Sequence, residues 1–321
     1  MLTYGGVLDM HIDHYSQKYE SEVVECWNRN CTFDPIDVKK FRKQALFDDN
    51  FDANLCYIAL QEDHVIGFIM ATKRKFPYLE RGLEPERGWI NVMFVDEEYR
   101  HKGIGQQLLD KAENSLIELG VKNITLGAYS PNYFFWGVDP IHYSDATKFF
   151  EKNGYQALDL HYSMGKELHG YQIPKETLEK KKKAEELGYQ FIKFDYKYAL
   201  ELLDFLKEEF GGGWKRNALM SMQKQRAEDE ILLVLDKDDQ IVAFCTRAID
   251  DNPMRFGPIG VSKNHRNAGL GSILLDLGCY EMAKKGIYRM YFVTTDEPGK
   301  RYYLRHGLSV IRTTVEYRKE I

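Results

Sequence analysis

Cysteine is scarce and scattered in this sequence. Cys26, Cys31, Cys56, Cys245 and Cys279 are odd in number and form no Cys-x-x-Cys pair. That pattern fits reduced thiols packed as small apolar side chains and argues against a disulfide framework or a zinc site, so no metal centre is read here. Positive charge is not in excess: 44 Lys and Arg face 49 Asp and Glu, a formal net charge of −5. With a pI near 6.0, nucleic acid is not expected as a main partner. No apolar run reaches the length of about 18 residues that a membrane-spanning helix needs. The opening MLTYGGVLDMHIDHYSQ has neither a basic n-region nor an apolar h-region, so no secretory signal is read in it and a cytoplasmic location is expected.

What is present is a chain of 321 residues, 44% apolar and 13% aromatic, enough for two domains with a core each. Residues 88–109, GWINVMFVDEEYRHKGIGQQLL, have an echo at 255–275, RFGPIGVSKNHRNAGLGSILL. Each reads as a buried strand, a polar turn, Arg-x-x-Gly-x-Gly, then an apolar helix. Arg100, Gly103 and Gly105 match Arg266, Gly269 and Gly271 at a constant offset of 166, which also relates Val95 to Val261 and Gly120 to Gly286. A constant offset over such a span indicates a duplicated unit. A strand that turns into a helix leaves the first helical N–H groups without backbone partners, and with the helix dipole these make an anion site. Glycine there permits positive φ and the close approach of a phosphate. Neither copy is a P-loop, since no Gly-Lys-Ser/Thr follows, and neither has the third glycine of a dinucleotide fingerprint.

Arg-x-x-Gly-x-Gly after an apolar strand resembles the coenzyme A pyrophosphate loop of the GCN5-related N-acetyltransferases, the GNAT superfamily. Two copies resemble the tandem arrangement of mycothiol synthases and their relatives. The resemblance implies an α/β (α+β) fold of two tandem GNAT domains, each a mixed, mostly antiparallel sheet flanked by helices. It also implies acetyl-CoA as the acyl donor. The phosphates would lie on Arg100, His101, Lys102, Gly103, Ile104, Gly105 and Gln106, and on Arg266, Asn267, Ala268, Gly269, Leu270, Gly271 and Ser272. The pantetheine arm would follow the motif strand, at Met93, Phe94 and Val95 in one copy and Ile259, Gly260 and Val261 in the other.

Along the chain, residues 1–165 are read as the first domain, 166–188 as a linker and 189–321 as the second domain. Residues 1–9 are read as a flexible start. The order βααβββαβαβ is expected in each half, with the strand at 155–164 closing the first and that at 308–317 closing the second. An aromatic insertion, YSPNYFFWGVDPIHYS, follows the strand at 122–128 and has almost no counterpart in the second copy; the offset falls from 166 to 153 between Gly154 and Gly307. Its Tyr133, Phe134, Phe135 and Trp136 either roof a pocket, with Asp139 or His142 as polar points, or fill a contact between domains. Gly211, Gly212 and Gly213 form either a mobile lip or a plain turn. The lysines of KETLEKKKKAEEL read as a solvated helix face.

Acyl transfer to an amine needs a donor hydrogen bond for the thioester oxygen, a base for the amine and an acid for the leaving thiolate. The resemblance places a thiolate-protonating tyrosine four residues before the glycine that ends the last helix. That residue is Tyr303 in RYYLRHG, with Tyr302 competing beside it, but Phe150 in KFFEKNG. The second domain is therefore expected to hold the catalytic acid, with Tyr143 as a possible substitute in the first. Glu208, Glu209, Asp250 and Glu86 are candidate bases. The expected function is direct transfer of acetyl from acetyl-CoA to a small amine in a ternary complex. The alternatives are an acyl-CoA sensor or scaffold, and a protein or peptide acetyltransferase.

Overall fold

The computed structural model describes residues 10–321; the flexible start read for residues 1–9 lies outside them. The chain divides into two compact units. One runs to His161 and takes in Thr313–Ile321; the other is Tyr162–Arg312.

The first unit follows the expected order. Strand β1 (Met10–His14) precedes helix α1 (Glu20–Asn30) and the short α2 (Val38–Phe41), which runs on as a π turn to Leu46. The Asp37 side chain caps α2 by accepting from Lys40 N at 2.6 Å. Strands β2 (Cys56–Gln61), β3 (His64–Lys73) and β4 (Arg87–Val95) form an antiparallel meander with β1. Helix α3 (Ile104–Glu118) buries Ile104, Leu108, Leu109, Ala112 and Leu116. That stripe repeats at helical spacing and packs on the sheet, each fully buried Ile or Leu contributing about 2 kcal/mol. Strand β5 (Asn123–Leu126) then lies parallel to β4, pairing from Arg87↔Asn123 to Ile90↔Leu126 and no further. Helix α4 (Ser144–Lys152) leads into the long strand β6 (Gln156–Glu167).

The second unit opens with the end of β6 and with helix α5 (Lys175–Glu186), the stretch expected as a linker. Thr177 and Ala184 of α5 are buried. The sheet is β7 (Gln190–Lys193), then α6 (Ala199–Phe210), α7 (Gly212–Gln223), the single turn α8 (Ala227–Glu230), β8 (Ile231–Leu235), β9 (Ile241–Arg247) and β10 (Phe256–Val261). The four strands pair antiparallel in the order β10, β9, β8, β7. Helix α9 (Leu270–Lys284), strand β11 (Arg289–Phe292), helix α10 (Glu297–Arg305) and strand β12 (Ser309–Glu320) follow. Asp276 of α9 accepts from Tyr171 Oη and Thr177 Oγ1, each at 2.6 Å, which anchors α5 in this unit. Of the three glycines, Gly211, at φ +92°, is the only break, and α7 begins at the next residue.

The closing strands depart from the expected order. In the first unit β5 pairs with the last part of β12, from Tyr317↔Leu126 to Glu320↔Asn123. In the second, β11 pairs with the last part of β6, from Arg289↔Glu167 to Phe292↔Met164. Each unit is thus closed by the strand that follows the other unit's last helix. The two registers correspond at the sequence offsets already noted, so each copy accepts the other's strand in the same frame.

Candidate active site

The two glycine loops have the backbone that the sequence called for. Gly103 and Gly269 sit at the N-caps of α3 and α9 with φ of 82° and 75°. His101 and Asn267 are also left-handed, at 62° and 73°. A Cβ on Gly103 or Gly269 would meet nothing within 4 Å, so these positions open onto free space. Gly105 serves packing instead: its Cβ would come within 3.3 Å of Met93 Cε. Arg100 braces the first loop, its Nε donating to Val95 O at 3.0 Å and its Nη2 to Asn30 Oδ1 at 3.0 Å. Gln106 donates to Asp110 and Asn153, and the Lys102 ammonium lies 4.9 Å from the centre of the Tyr99 ring. The side chains of Ile104 and Leu270 are buried in the cores, so only their backbone is open to a ligand. In the second loop Arg266 Nε reaches Val261 O at 3.5 Å, and Ser272 Oγ lies 3.4 Å from His306 Nε2.

Each motif strand runs beside its parallel neighbour for only a short distance. Trp89 pairs with Thr125 near the end of the β4–β5 ladder. In the second unit an isolated bridge joins the corresponding positions, Arg255 just before β10 and Tyr291 of β11. Beyond Ile90, no strand among the described residues pairs with the freed edge of β4. Such an edge can bind an extended ligand as an added strand.

The units differ in what lies beside that edge. In the first, a cavity of about 750 Å³ runs from Arg100, Gly103 and Gly105, along β4 from Ile90 to Val95, to the aromatic insertion. The insertion packs within its own unit. Phe134 and Phe135 lie 4.9 and 5.7 Å from the Trp27 ring, and Phe135, Val138, Asp139 and His142 line the cavity. Asp139, 2% exposed, accepts from the N–H groups of Ile141 and His142 through Oδ1, while its Oδ2 holds His142 Nδ1 at 2.6 Å. The imidazole packs on Phe33 with ring centres 4.0 Å apart. A buried carboxylate that holds one ring nitrogen orients the other for proton transfer.

In the second unit the aromatic pair Phe210 and Trp214, stacked at 4.6 Å, fills the face of β10, where a Cβ on Gly260 would lie 2.5 Å from the Phe210 ring. Tyr303 packs on Phe292 and Tyr302 at 4.5 and 5.1 Å, and burial, reinforced by Tyr302, drives its phenol well above the ordinary value. Burial pushes Tyr302 up to about 12, and its hydroxyl lies 3.3 Å from where a Gly271 Cβ would sit. Tyr302 is therefore the nearer of the two to the loop. Phe149 and Phe150, their counterparts, line the cavity of the first unit. Among the candidate bases, Glu209 is tied to Ser262 Oγ at 2.9 Å and Glu86 to Lys122. Tyr143 donates to Asp34 at 2.7 Å.

The profile of the Acetyltransferase (GNAT) family matches residues 18–137 and 199–308. The chain belongs to the GNAT family. Its two GNAT regions cover both glycine loops. The fold is likewise similar to solved GNAT structures. One is a fungal multi-domain GH3 β-N-acetylglucosaminidase with a GCN5-related glucosamine N-acetyltransferase region, 18% identical at a TM-score of 0.79. That match covers 98% of this chain but 38% of the fungal chain. Another is a GCN5-related N-acetyltransferase from Sphaerobacter thermophilus, 14% identical, TM-score 0.70, covering 97% and 95% of the two chains. A tandem GNAT protein from the clavulanic acid biosynthesis pathway is 11% identical, TM-score 0.64, covering 97% and 98%. No curated protein matches the sequence. GNAT proteins transfer acyl groups from acyl-CoA. Among the described residues no helix is long and apolar enough to cross a membrane, and no group of three or more His, Cys, Asp or Glu is placed to hold a metal ion.

Proposed function

We propose that this protein is an acetyl-CoA-dependent N-acetyltransferase for small primary amines, with its working site in the first GNAT domain. The observation that carries this reading is the cavity that joins the Gly103 loop to the Asp139–His142 pair. The diphosphate of acetyl-CoA would lie on the α3 N-terminus and Arg100, and the pantetheine arm along Met93, Phe94 and Val95. A backbone N–H of that free edge would polarise the thioester oxygen. His142 takes a proton from the amine, whose nitrogen attacks the carbonyl carbon directly in the ternary complex. The C–N bond forms, the C–S bond breaks, and the thiolate takes its proton from solvent, since Phe149 and Phe150 offer none.

A second reading rests on the second domain, which repeats the left-handed loop and alone holds a tyrosine at the thiolate position, Tyr303. Free-thiol release from acetyl-CoA with primary amines separates the two. His142→Gln should cut kcat by about 100-fold or more and leave acetyl-CoA affinity unchanged, while Tyr303→Phe leaves the rate intact. The reverse pattern moves the chemistry to the second domain. Calorimetry adds the binding side. Gly103→Glu, which sets a carboxylate where phosphate would sit, should abolish acetyl-CoA binding to the first domain, and Gly269→Glu should not.

A further inference from the structure

Helix α1 runs out into a turn, Cys31 to Asp34, closed by Asp34 N donating to Cys31 O at 2.8 Å. The turn is held from two sides. Trp27 Nε1 donates to Asp34 O at 2.8 Å, and Tyr143 Oη donates to Asp34 Oδ2 at 2.7 Å. Its third residue is Phe33, at a place where small or polar side chains prevail. Phe33 is 57% exposed, and among the described residues it packs into neither apolar core of its unit. Its ring lies instead against the His142 imidazole, and 6.1 Å from the Tyr143 ring. That contact sets an open phenyl face beside the proposed base, at the wall of the cavity. A stray exposed phenylalanine needs no explanation. This one is carried by a braced turn and rests on the group that would meet the amine. In the second domain the residues that follow the corresponding helix, α6, are Gly211, Gly212 and Gly213, which offer no side chain.

Two polar neighbours of the imidazole have partners of their own. Asp139 holds Nδ1 and two backbone N–H groups, and the Tyr143 hydroxyl is given to Asp34. An amine that hands its proton to Nε2 sits about 3 Å from that nitrogen. The carbons behind the amine then come within reach of the Phe33 ring, whose centre is 4.0 Å from that of the imidazole. A ring face gains by stacking on an aromatic or alkyl group and by the water both shed. A hydroxyl or carboxylate set against it would lose water and gain no hydrogen bond. We infer that Phe33 is a specificity-determining residue that covers an apolar group one or two carbons from the acceptor's amine. The acceptors of the first domain are then amines with an aromatic or bulky alkyl body rather than amino alcohols, amino sugars or amino acids. This rests on the reading of the first domain as the working site.

The test compares 2-phenylethylamine with 2-aminoethanol at equal concentration of free base and saturating acetyl-CoA. The wild type should favour the phenyl amine by about tenfold or more in kcat/KM, most of it in KM. Phe33→Ala should bring that ratio to within about threefold of unity and leave the KM for acetyl-CoA unchanged, while Phe33→Trp keeps the preference. Phe33→Ser gives the same reading should the alanine variant fold poorly. A residue that only props the imidazole behaves differently: its loss lowers kcat for both amines alike and leaves their ratio intact. That pattern overturns the inference, as does a rise in the acetyl-CoA KM with the ratio intact. Equal use of the two amines by the wild type, or a preference for 2-aminoethanol, sinks this inference and leaves the first-domain site standing. Failure to acetylate any amine, or full activity in His142→Gln, sinks that site as well.

Discussion

His142 can serve as a base only if its ring is held, and Asp139 supplies the hydrogen bond that holds it while Phe33 packs on its face. The carboxylate is itself fixed by two backbone N–H donors of the turn it opens, so its second oxygen is aimed at Nδ1 before any substrate arrives. Asp139→Asn keeps the size but presents an amide that can turn its N–H toward the ring and favour the wrong tautomer. On the proposed mechanism we expect kcat to fall by about 100-fold with little change in the KM for the amine, and a melting temperature close to wild type. A large loss of stability with unchanged kcat in the folded fraction would show Asp139 to be a turn residue only. Both residues stand out in the sequence as the polar points of the aromatic insertion, but not as a pair. Loops carry no periodicity, and the pair becomes visible only when the turn folds it together.

At the scale of elements, the glycine loops were the most legible feature, because left-handed backbone at a helix N-terminus restricts sequence so strongly. The aromatic insertion was legible as a wall but not by its partner: Phe134 and Phe135 find Trp27 on α1 within their own unit. The same helix is tied to the end of β4 by Arg29 and Asp96, 2.7 Å apart. Burial works against ionisation of Asp96, but the Arg29 hydrogen bonds and the backbone N–H of Glu98 outweigh it and hold the carboxyl below its usual range. A depressed carboxylate contributes stability that is present above its unfolded pKa and is lost as pH falls through the folded one. Asp96→Asn should therefore cost about 0.5–1 kcal/mol near neutrality, a modest value because Arg29 is half-exposed. The gap from wild type should close when urea unfolding is repeated in acid below the ordinary Asp range. A gap that persists there would assign the loss to packing.

At the scale of the whole molecule, the duplication was evident but the exchange of closing strands was not. The strands at 155–164 and 308–317 follow equivalent helices and carry equivalent patterns, so periodicity cannot say which sheet takes which strand. Side chains make the choice visible afterwards. Lys319 of β12 reaches Glu113 of α3 at 2.7 Å, and Tyr155 donates to the same carboxylate at 2.9 Å. Tyr317 donates to Glu151 of α4 at 2.7 Å. Val315 exchanges backbone hydrogen bonds with Val138, the residue before Asp139. Deleting residues 313–321 removes the strand that pairs with β5 and leaves Glu113 buried without its cation, a loss of about 3 kcal/mol or more. We expect such a variant to lose the first unfolding transition in calorimetry and to lose acetyl transfer. A synthetic peptide of residues 309–321 should restore part of both. Full activity without the peptide would show that β12 is dispensable to the site.

That exchange also sets an order of events during synthesis. A polypeptide leaves the ribosome from its N-terminus, and domains ordinarily fold as they emerge. Here the sheet that carries the Gly103 loop stays one strand short until all of Tyr162–Arg312 has been translated. The nascent first domain must wait with an unpaired β5 edge, while the second domain already has β6 in hand and can complete its sheet once β11 has emerged. The half made first is thus the half finished last, and its exposed edge is where a chaperone, or a misplaced strand from another nascent chain, would meet it.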